Sequence, residues 1–218
     1  MKRTLFLAAT ALFVLPAVLL AHGTEWTIDP AHSNASFAVK HLGVATVRGN
    51  IPAVSGTLTY DDHDVTQSKL DVTIDASAIS TGVEKRDEHL KSVDFLDTAN
   101  HPKITFQSTK VKQAGAGKLE VTGNLTIRGV TKPVTLTVEG PTAPIDDPWG
   151  NQAMGASATT MILRKDFGVS WGAVTEAGGL VAANEVNILL DVELKRPKAK
   201  EETMPAKAKE KEKSKGGW

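Results

Sequence analysis

The chain of 218 residues contains no cysteine, and this absence excludes several classes of protein at once. Disulfide bonds, thiolate zinc sites, a thiol nucleophile and a cysteine-linked lipid anchor all need a sulfur atom that the chain lacks. Aromatic residues are scarce at 5%, yet 41% of all residues are hydrophobic. Because that hydrophobic fraction is too high for a disordered chain, we expect a folded protein packed mainly with aliphatic side chains.

The common catalytic and nucleotide-binding motifs are missing as well. The chain has no phosphate-binding loop and no dinucleotide fingerprint. The segment 155–159 lacks the last glycine of a serine nucleophile elbow. The six histidines never stand two or four residues apart, the spacings that place two metal ligands on one face of a strand or helix. A metal site assembled from distant strands is the alternative, but we predict no metal and no other cofactor.

The formal net charge of zero conceals three regions of different charge. Residues 1–21 carry two basic residues and no acidic one, whereas residues 195–218 carry nine basic and four acidic residues, a net charge of +5. The body between them has 14 basic and 21 acidic residues, a net charge of −7. Since an acidic body repels phosphate backbones, we predict that nucleic acid is not a partner.

Residues 1–23 have the pattern of a cleavable signal peptide. Lys2 and Arg3 precede an apolar run over residues 5–20, and small residues follow it, so cleavage after Ala21 or after Gly23 fits the pattern. The alternative is an uncleaved anchor, because about 18 apolar residues lies at the lower limit for crossing a bilayer. Pro16 and the polar sequence after Gly23 favour removal. We therefore expect the mature protein to be exported.

Residues 195–218 are predicted to be a charged, disordered tail. They are rich in lysine, glutamate, alanine and proline, and almost no apolar residue precedes Trp218. Such a segment cannot bury enough surface to offset its chain entropy. The alternative function is a weak electrostatic tether to an anionic membrane surface. The remaining residues, 24–194, have the length of one domain.

Hydrophobic alternation with a period of two runs along most of this domain and predicts β-strands. In segment 33–41, Ala35, Phe37 and Val39 fall on one face and polar residues on the other. Similar alternation marks segments 69–76 and 119–127, with shorter or weaker copies at 56–60, 103–111, 133–139, 154–164 and 186–194. Turn residues such as Arg128-Gly129 separate these segments. Eight or nine antiparallel strands account for the pattern.

One interruption of the strand pattern is helical. Thr81 and Glu84 have the spacing of a capping box, and residues 85–91 are good helix formers. An all-β chain with one apolar face per strand closes either as a barrel or as a two-sheet sandwich, and a barrel also removes unpaired edges. The thin inward side chains leave open whether a barrel interior is filled or holds a ligand.

Two groups of charged residues stand out from this background. Arg86-Asp87 lies on the predicted helix, and Arg164-Lys165-Asp166 closes a predicted strand. In the structural interpretation, each arginine pairs with a carboxylate and fixes a loop or strand end. In the functional interpretation, both arginines lie at a cavity mouth and hold the polar head of a ligand.

The order and spacing of several short motifs resemble those of the YceI-like family. The matching motifs are Trp26-x-x-Asp29-x-x-His32-Ser33-x-x-x-Phe37, Arg86-Asp87-x-His89-Leu90-x-Ser92-x-Asp94-Phe95, Pro102-x-Ile104-x-Phe106-x-Ser108, Gly123-x-Leu125-Thr126-Ile127-x-Gly129 and Arg164-x-Asp166-Phe167-Gly168. The resemblance extends from Glu25 to about Leu194. Two features depart from it: Asn50-Ile51-Pro52 replaces the usual aromatic residue after a glycine, and the charged tail is an addition.

The resemblance implies a lipocalin-like, antiparallel, eight-stranded β-barrel with one short helix in a loop, located in the periplasm. It further implies a binding protein, not an enzyme, whose apolar cavity holds a polyisoprenoid or similar long-chain lipid for carriage or storage. An isoprenoid quinone or a fatty-acyl amide is included in that ligand class. The alternatives are an enzyme, or a partner-binding module, built on the same barrel without bound lipid.

The predicted ligand-binding residues form three groups. The first group is expected on inward faces of strands: Phe37, Val39, Phe106, Leu125, Ile127 and Ile162. The second is expected near an opening: Phe95, Phe167 and Trp171. The third is expected to meet a polar head: His32, Arg86, His89 and Arg164. For each of these residues, plain core packing is the structural alternative.

Overall fold

The computed structural model describes residues 23–174 and 180–198. Nearly all of the predicted signal peptide and residues 199–218 of the predicted tail therefore lie outside the described residues. The described chain contains eleven β-strands and one α-helix. They are β1 (Thr24–Ile28), β2 (Asn34–His41), β3 (Ala45–Ile51), β4 (Val54–Tyr60), β5 (Lys69–Asp75), α1 (Glu84–Lys91), β6 (Lys103–Gly115), β7 (Lys118–Ile127), β8 (Val130–Glu139), β9 (Ile145–Asp146), β10 (Asn151–Leu163) and β11 (Ala182–Pro197).

Eight of these strands close into an antiparallel barrel. Hydrogen-bonded neighbours follow one another in the order β11, β1, β4, β5, β6, β7, β8 and β10, and β10 pairs with β11 to complete the ring. The closing pair is long, because it runs from Asn151 opposite Pro197 to Leu163 opposite Glu185. The predicted eight-stranded barrel is confirmed, and closure leaves no free edge along this ring.

Two of the barrel strands continue beyond a bend. β1 and β2 both pair with β11, through Ile28 opposite Leu194 and Asn34 opposite Asp191. On the other side, β4 pairs with β1, and β3 pairs with β2. Pro30 and Pro52 lie in the two bends, where the missing proline N–H interrupts a ladder of hydrogen bonds. β1–β2 and β3–β4 therefore behave as two long, bent strands of one wall.

The up-and-down topology brings four connections to one end of the barrel. These connections join β2 to β3, β5 to β6 through α1, β7 to β8, and β10 to β11. We call this end the open end, because exposed Lys40 and half-buried Phe95 and Trp171, which line the cavity described below, lie here. At the opposite, closed end, the inward side chains of Trp26 and Met154 are buried.

The predicted helix is present as α1, but its predicted cap is wrong. The residue before the helix is Val83, and no side chain caps the first turn. The backbone N–H and hydroxyl of Thr81 instead both donate to the Asp87 carboxylate on the first turn. Gly82, which follows Thr81, has a positive φ of 75°, a conformation that glycine adopts readily. No helix within the described ranges is long and apolar enough to cross a membrane.

The predicted start of the tail at Lys195 is also wrong, because β11 continues to Pro197. The ammonium of Lys195 lies 2.6 Å from Oδ2 of Asp29, and the guanidinium of Arg196 lies 4.5 Å from the ring centroid of Trp26. Composition could not show these cross-strand partners. Residues 199–218, which lie outside the described chain, keep six basic and four acidic residues, a net charge of +2 instead of the +5 counted from Lys195.

Candidate functional site

A long cavity of about 450 Å³ runs inside the barrel. On β11 its lining extends from Ala182 at the open end to Leu194, which is about 40 Å of strand at the usual rise per residue, measured along the tilted strand. The walls are almost entirely aliphatic and aromatic. The alternation predicted from sequence explains this lining, because successive residues of a strand face the cavity and the solvent in turn.

The structure places the first group of predicted site residues on the cavity wall. All six residues predicted to face inward contribute to the lining: Phe37, Val39, Phe106, Leu125, Ile127 and Ile162. The rings of Phe37 and Phe106 lie in close contact with glycines, since a Cβ on Gly49 or Gly123 would stand 2.4 Å from the nearest ring carbon. The glycines thus let two aromatic rings lie against the wall, where they leave the centre of the barrel open.

Three rings meet at the open end. The centroid of the His89 imidazole lies 4.9 Å from that of Phe95 and 5.3 Å from that of Trp171, in both cases edge to face. The Phe95 and Trp171 centroids are 5.2 Å apart. All three residues are half-buried and line the cavity. We call these three rings the aromatic mouth; Phe95 and Trp171 are two of the residues expected near an opening.

Phe167 differs from the other two residues predicted near the opening. It belongs to a short 3-10 helix, Arg164–Phe167, that follows β10. Its side chain lines the cavity but is only 2% exposed. Phe167 is therefore a buried wall residue and not a rim residue, because this helix folds back over the end of the barrel.

Arg164 is buried, and its guanidinium donates to four backbone carbonyls. The acceptors are the carbonyl oxygens of Val169, Trp171, Ala182 and Ala183, at 2.6 to 3.1 Å. No carboxylate pairs with Arg164 among the residues described, and burial lowers the pKa of this group from its ordinary value. Arg164 therefore fixes the β10–β11 connection, as in the structural interpretation. Its partners are backbone carbonyls, however, and not the Asp166 carboxylate.

Arg86 reaches the cavity wall, but its guanidinium contacts Thr81. Its Nε donates to Thr81 Oγ1 at 2.7 Å, and its Nη2 donates to the Thr81 carbonyl at 3.0 Å. Asp87 accepts hydrogen bonds from the same threonine, which hold the pKa of its carboxyl below the usual range. Arg86 and Asp87 therefore fix the segment before α1, while Arg86 still lines the open end.

His89 presents its ring to the aromatic mouth and its Nε2 to an acidic side chain. That nitrogen lies 2.9 Å from Oδ2 of Asp94 in the loop after α1. The pair is exposed to solvent on its outer side. His89 thus lines the open end of the cavity together with Arg86 and Arg164.

His32 does not line the cavity, so its predicted contact with a ligand head is wrong. It lies in the bend between β1 and β2, where its Nδ1 is 2.8 Å from Asp29. Glu193 lies nearby, and these three residues have the spacing of a metal site. The ammonium of Lys195 already contacts both carboxylates, at 2.6 and 3.1 Å, so it supplies the positive charge that a cation would bring. These contacts hold the pKa of Asp29 well below its ordinary value.

Arg128 is a positioning residue that the sequence reasoning missed. It stands with Gly129 in the tight turn between β7 and β8, where both have positive φ. Its guanidinium donates to the carbonyl oxygens of Gly168 and Val93, which belong to two other connections at the open end. The sequence predicted the turn but could not predict acceptors 35 and 40 residues away.

Charge is distributed unevenly along the cavity. The basic side chains of its lining all lie at the open end: Lys40, His41, Arg86, His89 and Arg164. Within the described ranges, no aspartate or glutamate contributes to the lining. The interior is consequently apolar over most of its length and polar at one mouth.

A closed antiparallel barrel around an apolar space defines the class of the protein, the lipocalin-like barrels. Within that class, the chain belongs to the YceI-like family, since the family model described as a YceI-like domain matches residues 26–194. Protein YceI of Salmonella arizonae is 38% identical over 201 residues, which cover 88% of this chain and 97% of that relative. The family resemblance found in the sequence is confirmed.

Two solved structures share the fold. BcnA from Burkholderia cenocepacia matches with a TM-score of 0.64 and 25% identity, over 76% of this chain and 98% of its own. A polyisoprenoid binding domain from Saccharophagus degradans matches with a TM-score of 0.56, over 79% of this chain and 98% of its own. At 16% identity, the second likeness shows the fold alone.

Proposed function

We propose that the protein binds a polyisoprenoid or similar long-chain lipid inside the barrel, for carriage or storage. The observation that carries this proposal is the distribution of polarity, because the cavity is apolar along its length and basic only at the open end. A lipid tail fits the apolar length, and a polar head fits the mouth. The structure described as a polyisoprenoid binding domain from Saccharophagus degradans shows that a domain of this fold can hold a ligand of this class.

The free energy of binding comes from removing the tail from water. Each 100 Å² of apolar surface buried contributes about 2.5 kcal/mol before the costs of association and ordering are subtracted. The cavity volume of about 450 Å³ lies within the range of small-molecule sites. The length of the cavity favours a single extended chain over a compact ligand.

Three of the five basic side chains at the mouth already have partners, which favours a head group without a formal charge. The Arg164 and Arg86 guanidinium groups already donate to protein carbonyls and to Thr81, and His89 is paired with Asp94. A phosphate would have to compete with these partners. A neutral ring, such as that of a quinone, can instead pack against Phe95 and Trp171. An amide head, as in a fatty-acyl amide, is also compatible.

The proposal is a passive binding function in the periplasm. Entry of the ligand needs no bond to be made or broken. The signal-peptide pattern of residues 1–23 supports export, and the expected mature N-terminus is His22 or Thr24. N-terminal sequencing of protein released from cells by osmotic shock tests this location, and an unprocessed Met1 in the membrane fraction would contradict it.

Ligand uptake is tested with protein first stripped by organic solvent and refolded. The protein is incubated in detergent solution with a long polyprenol or with geraniol, separated by gel filtration and extracted for mass spectrometry. We expect the polyprenol to remain bound and the short alcohol to be lost, because only the long chain buries enough apolar area. Loss of both compounds would contradict a lipid-binding barrel.

A further inference from the structure

Six exposed aliphatic side chains surround the open end of the barrel. They belong to three of its four connections, and we call them the apolar rim: Leu42, Val44, Val83, Val93, Val174 and Leu180. Val44 is 83% exposed, Val174 68% and Val93 64%. Solvent-exposed valines on several neighbouring loops, around the entrance of an apolar cavity, form a pattern typical of a contact surface.

Backbone contacts link the rim residues to one another and to the mouth. Leu42 donates its N–H to the carbonyl of Val181 at 2.9 Å, and Val174 pairs with Leu180 across an isolated β-bridge. The Val93 carbonyl accepts a hydrogen bond from Arg128 at 2.7 Å. The rim is therefore positioned by the same contacts that position the mouth.

The remaining exposed hydrophobic side chains are not arranged in this way. Ile145 and Trp149 lie in the connection between β8 and β10 at the closed end, whereas Met161, Leu163 and Leu189 belong to strands of the wall. Single exposed apolar residues of this kind are ordinary for a protein surface. They provide matched controls for the rim.

We propose that the apolar rim inserts into the surface of a lipid bilayer and sets the open end of the cavity against the membrane. This inference rests on the proposed function and deepens it, because it names where the ligand enters. The rim is continuous with the cavity through Val181, Phe95 and Trp171, which line the mouth. A ligand that passes from the bilayer through this rim keeps its tail out of water, where each exposed Å² is unfavourable.

The charges near the rim point to hydrophobic insertion and not to electrostatic attraction. Basic Lys40 and Lys85 are exposed at the open end, but acidic Glu84, Glu88 and Asp94 are exposed there too. A surface that carries charges of both signs gains little binding free energy from electrostatic attraction to an anionic membrane. The rim should accordingly bind zwitterionic vesicles, with an affinity that salt hardly changes.

This mode differs from a tether formed by the charged tail. β11 runs from the open end to Pro197, so Lys198 lies at the closed end. There its ammonium donates a hydrogen bond to the Asp146 carboxylate. Attachment through residues 199–218 would begin at the end of the barrel opposite the mouth. It would also require anionic lipid and weaken as salt screens the charges.

Flotation with phosphatidylcholine vesicles tests the rim directly. The full mature protein is compared with the double variant Val44→Asp/Val174→Asp and with Val93→Asp. The double variant Ile145→Asp/Leu189→Asp and the single variant Leu189→Asp are the matched controls, since they place the same number of charges on exposed apolar positions outside the rim. We expect vesicle binding to fall at least about tenfold in the double variant, about threefold in Val93→Asp and not at all in the controls.

Transfer of ligand supplies the second measurement. The double variant should extract a polyprenol from vesicles at least about tenfold more slowly than the wild type, yet take it up equally from detergent solution, which also shows that it is folded. A chain that ends at Lys198 should bind these neutral vesicles as the full chain does. Equal vesicle binding by wild type, rim variants and controls, or no binding by the wild type, would overturn the proposal. If the wild type takes up no polyprenol from detergent solution, the proposed lipid-binding function is wrong. In that case the flotation experiment alone tests whether the apolar rim binds a membrane.

Discussion

The ring of Phe106 lies against the backbone of Gly123 on the neighbouring strand. A Cβ on Gly123 would stand 2.4 Å from the ring and 2.5 Å from the carbonyl oxygen of Gln107. Phe37 and Gly49 show the same relationship on the bent wall strands. These two pairs explain how a barrel with few aromatic residues keeps an open interior, because each ring occupies the space of a missing side chain and not the centre of the cavity.

Gly123→Ala should therefore destabilise the barrel. The added methyl group must push the Phe106 ring inward or distort the pairing of β6 with β7, and overpacking of this kind costs about 1–3 kcal/mol. Gly155→Ala is the control, since its nearest neighbour would lie at 3.8 Å. Urea denaturation measures both free energies of unfolding. Equal stability of the two variants would show that the Phe106–Gly123 contact is not tight.

Filling the cavity should reduce lipid binding without placing a charge inside the barrel. Ala158 on β10 lines the cavity, so Ala158→Phe occupies part of its volume. We expect the affinity for a long polyprenol to fall at least about tenfold, as the tail loses buried length. Ala38→Phe, on a wall residue that does not line the cavity, should bind as the wild type does. Unchanged binding by both variants would place the ligand outside the barrel.

The fold was largely predictable because alternation reports which face of a strand is buried. The segments around Phe37, Phe106 and Leu125 have this alternation, and the structure places all three residues on the cavity wall. β3 was missed because Gly49 stands between Val47 and Ile51 on the inward face, so this short segment lacks a continuous apolar face. The prediction that the sheet closes into a barrel came from the family resemblance. Alternation with a period of two could not supply it, since strands of a barrel and of a sandwich show the same period.

The open end was harder to predict, because long-range hydrogen bonds determine it. Arg164 stands beside Asp166 in the sequence, yet its guanidinium donates to carbonyls, some of which are nearly twenty residues away. Arg128 connects three loops in the same way. His32 matched a family motif, but its partners are Asp29 and Glu193 outside the cavity. Local spacing cannot show which backbone groups a long side chain will reach.

Arg164→Met should destabilise the open end in particular. The substitution keeps an apolar side chain but leaves four carbonyl acceptors without their donor, and a hydrogen bond to a charged group contributes about 1.5–3 kcal/mol. We expect a loss of at least about 2 kcal/mol and faster amide exchange in residues 169–174. Exposed Arg48→Met serves as control. A variant as stable as this control, with unchanged exchange, would contradict the positioning role of Arg164.

The contact between Lys195 and Asp29 predicts a pH-dependent contribution to stability. Because the pKa of Asp29 is lower in the folded than in the unfolded chain, its contacts stabilise the fold above about pH 4 and lose this effect as the pH falls below that value. The pKa of Lys195 is raised, so its charge persists to above about pH 10. Lys195→Met should lower Tm at neutral pH, and the difference from wild type should shrink below about pH 4.

Thermal unfolding across this pH range measures that difference. Lys118→Met removes an exposed ion pair with Glu139 and is the control. Exposed pairs contribute little, so its Tm should stay near that of the wild type. A Lys195→Met variant with the same Tm deficit at acidic and neutral pH would show that the loss does not depend on the Asp29 carboxylate.

Native mass spectrometry of the mature protein, purified without detergent from the organism or a bacterial host, tests lipid binding most directly. Spectra are compared before and after extraction with organic solvent, and the extract is analysed for the released compound. We expect an added mass that extraction removes and that belongs to a long-chain lipid, with less of it in Ala158→Phe. A single mass equal to that of the polypeptide before and after extraction would contradict the claim that the barrel holds a lipid.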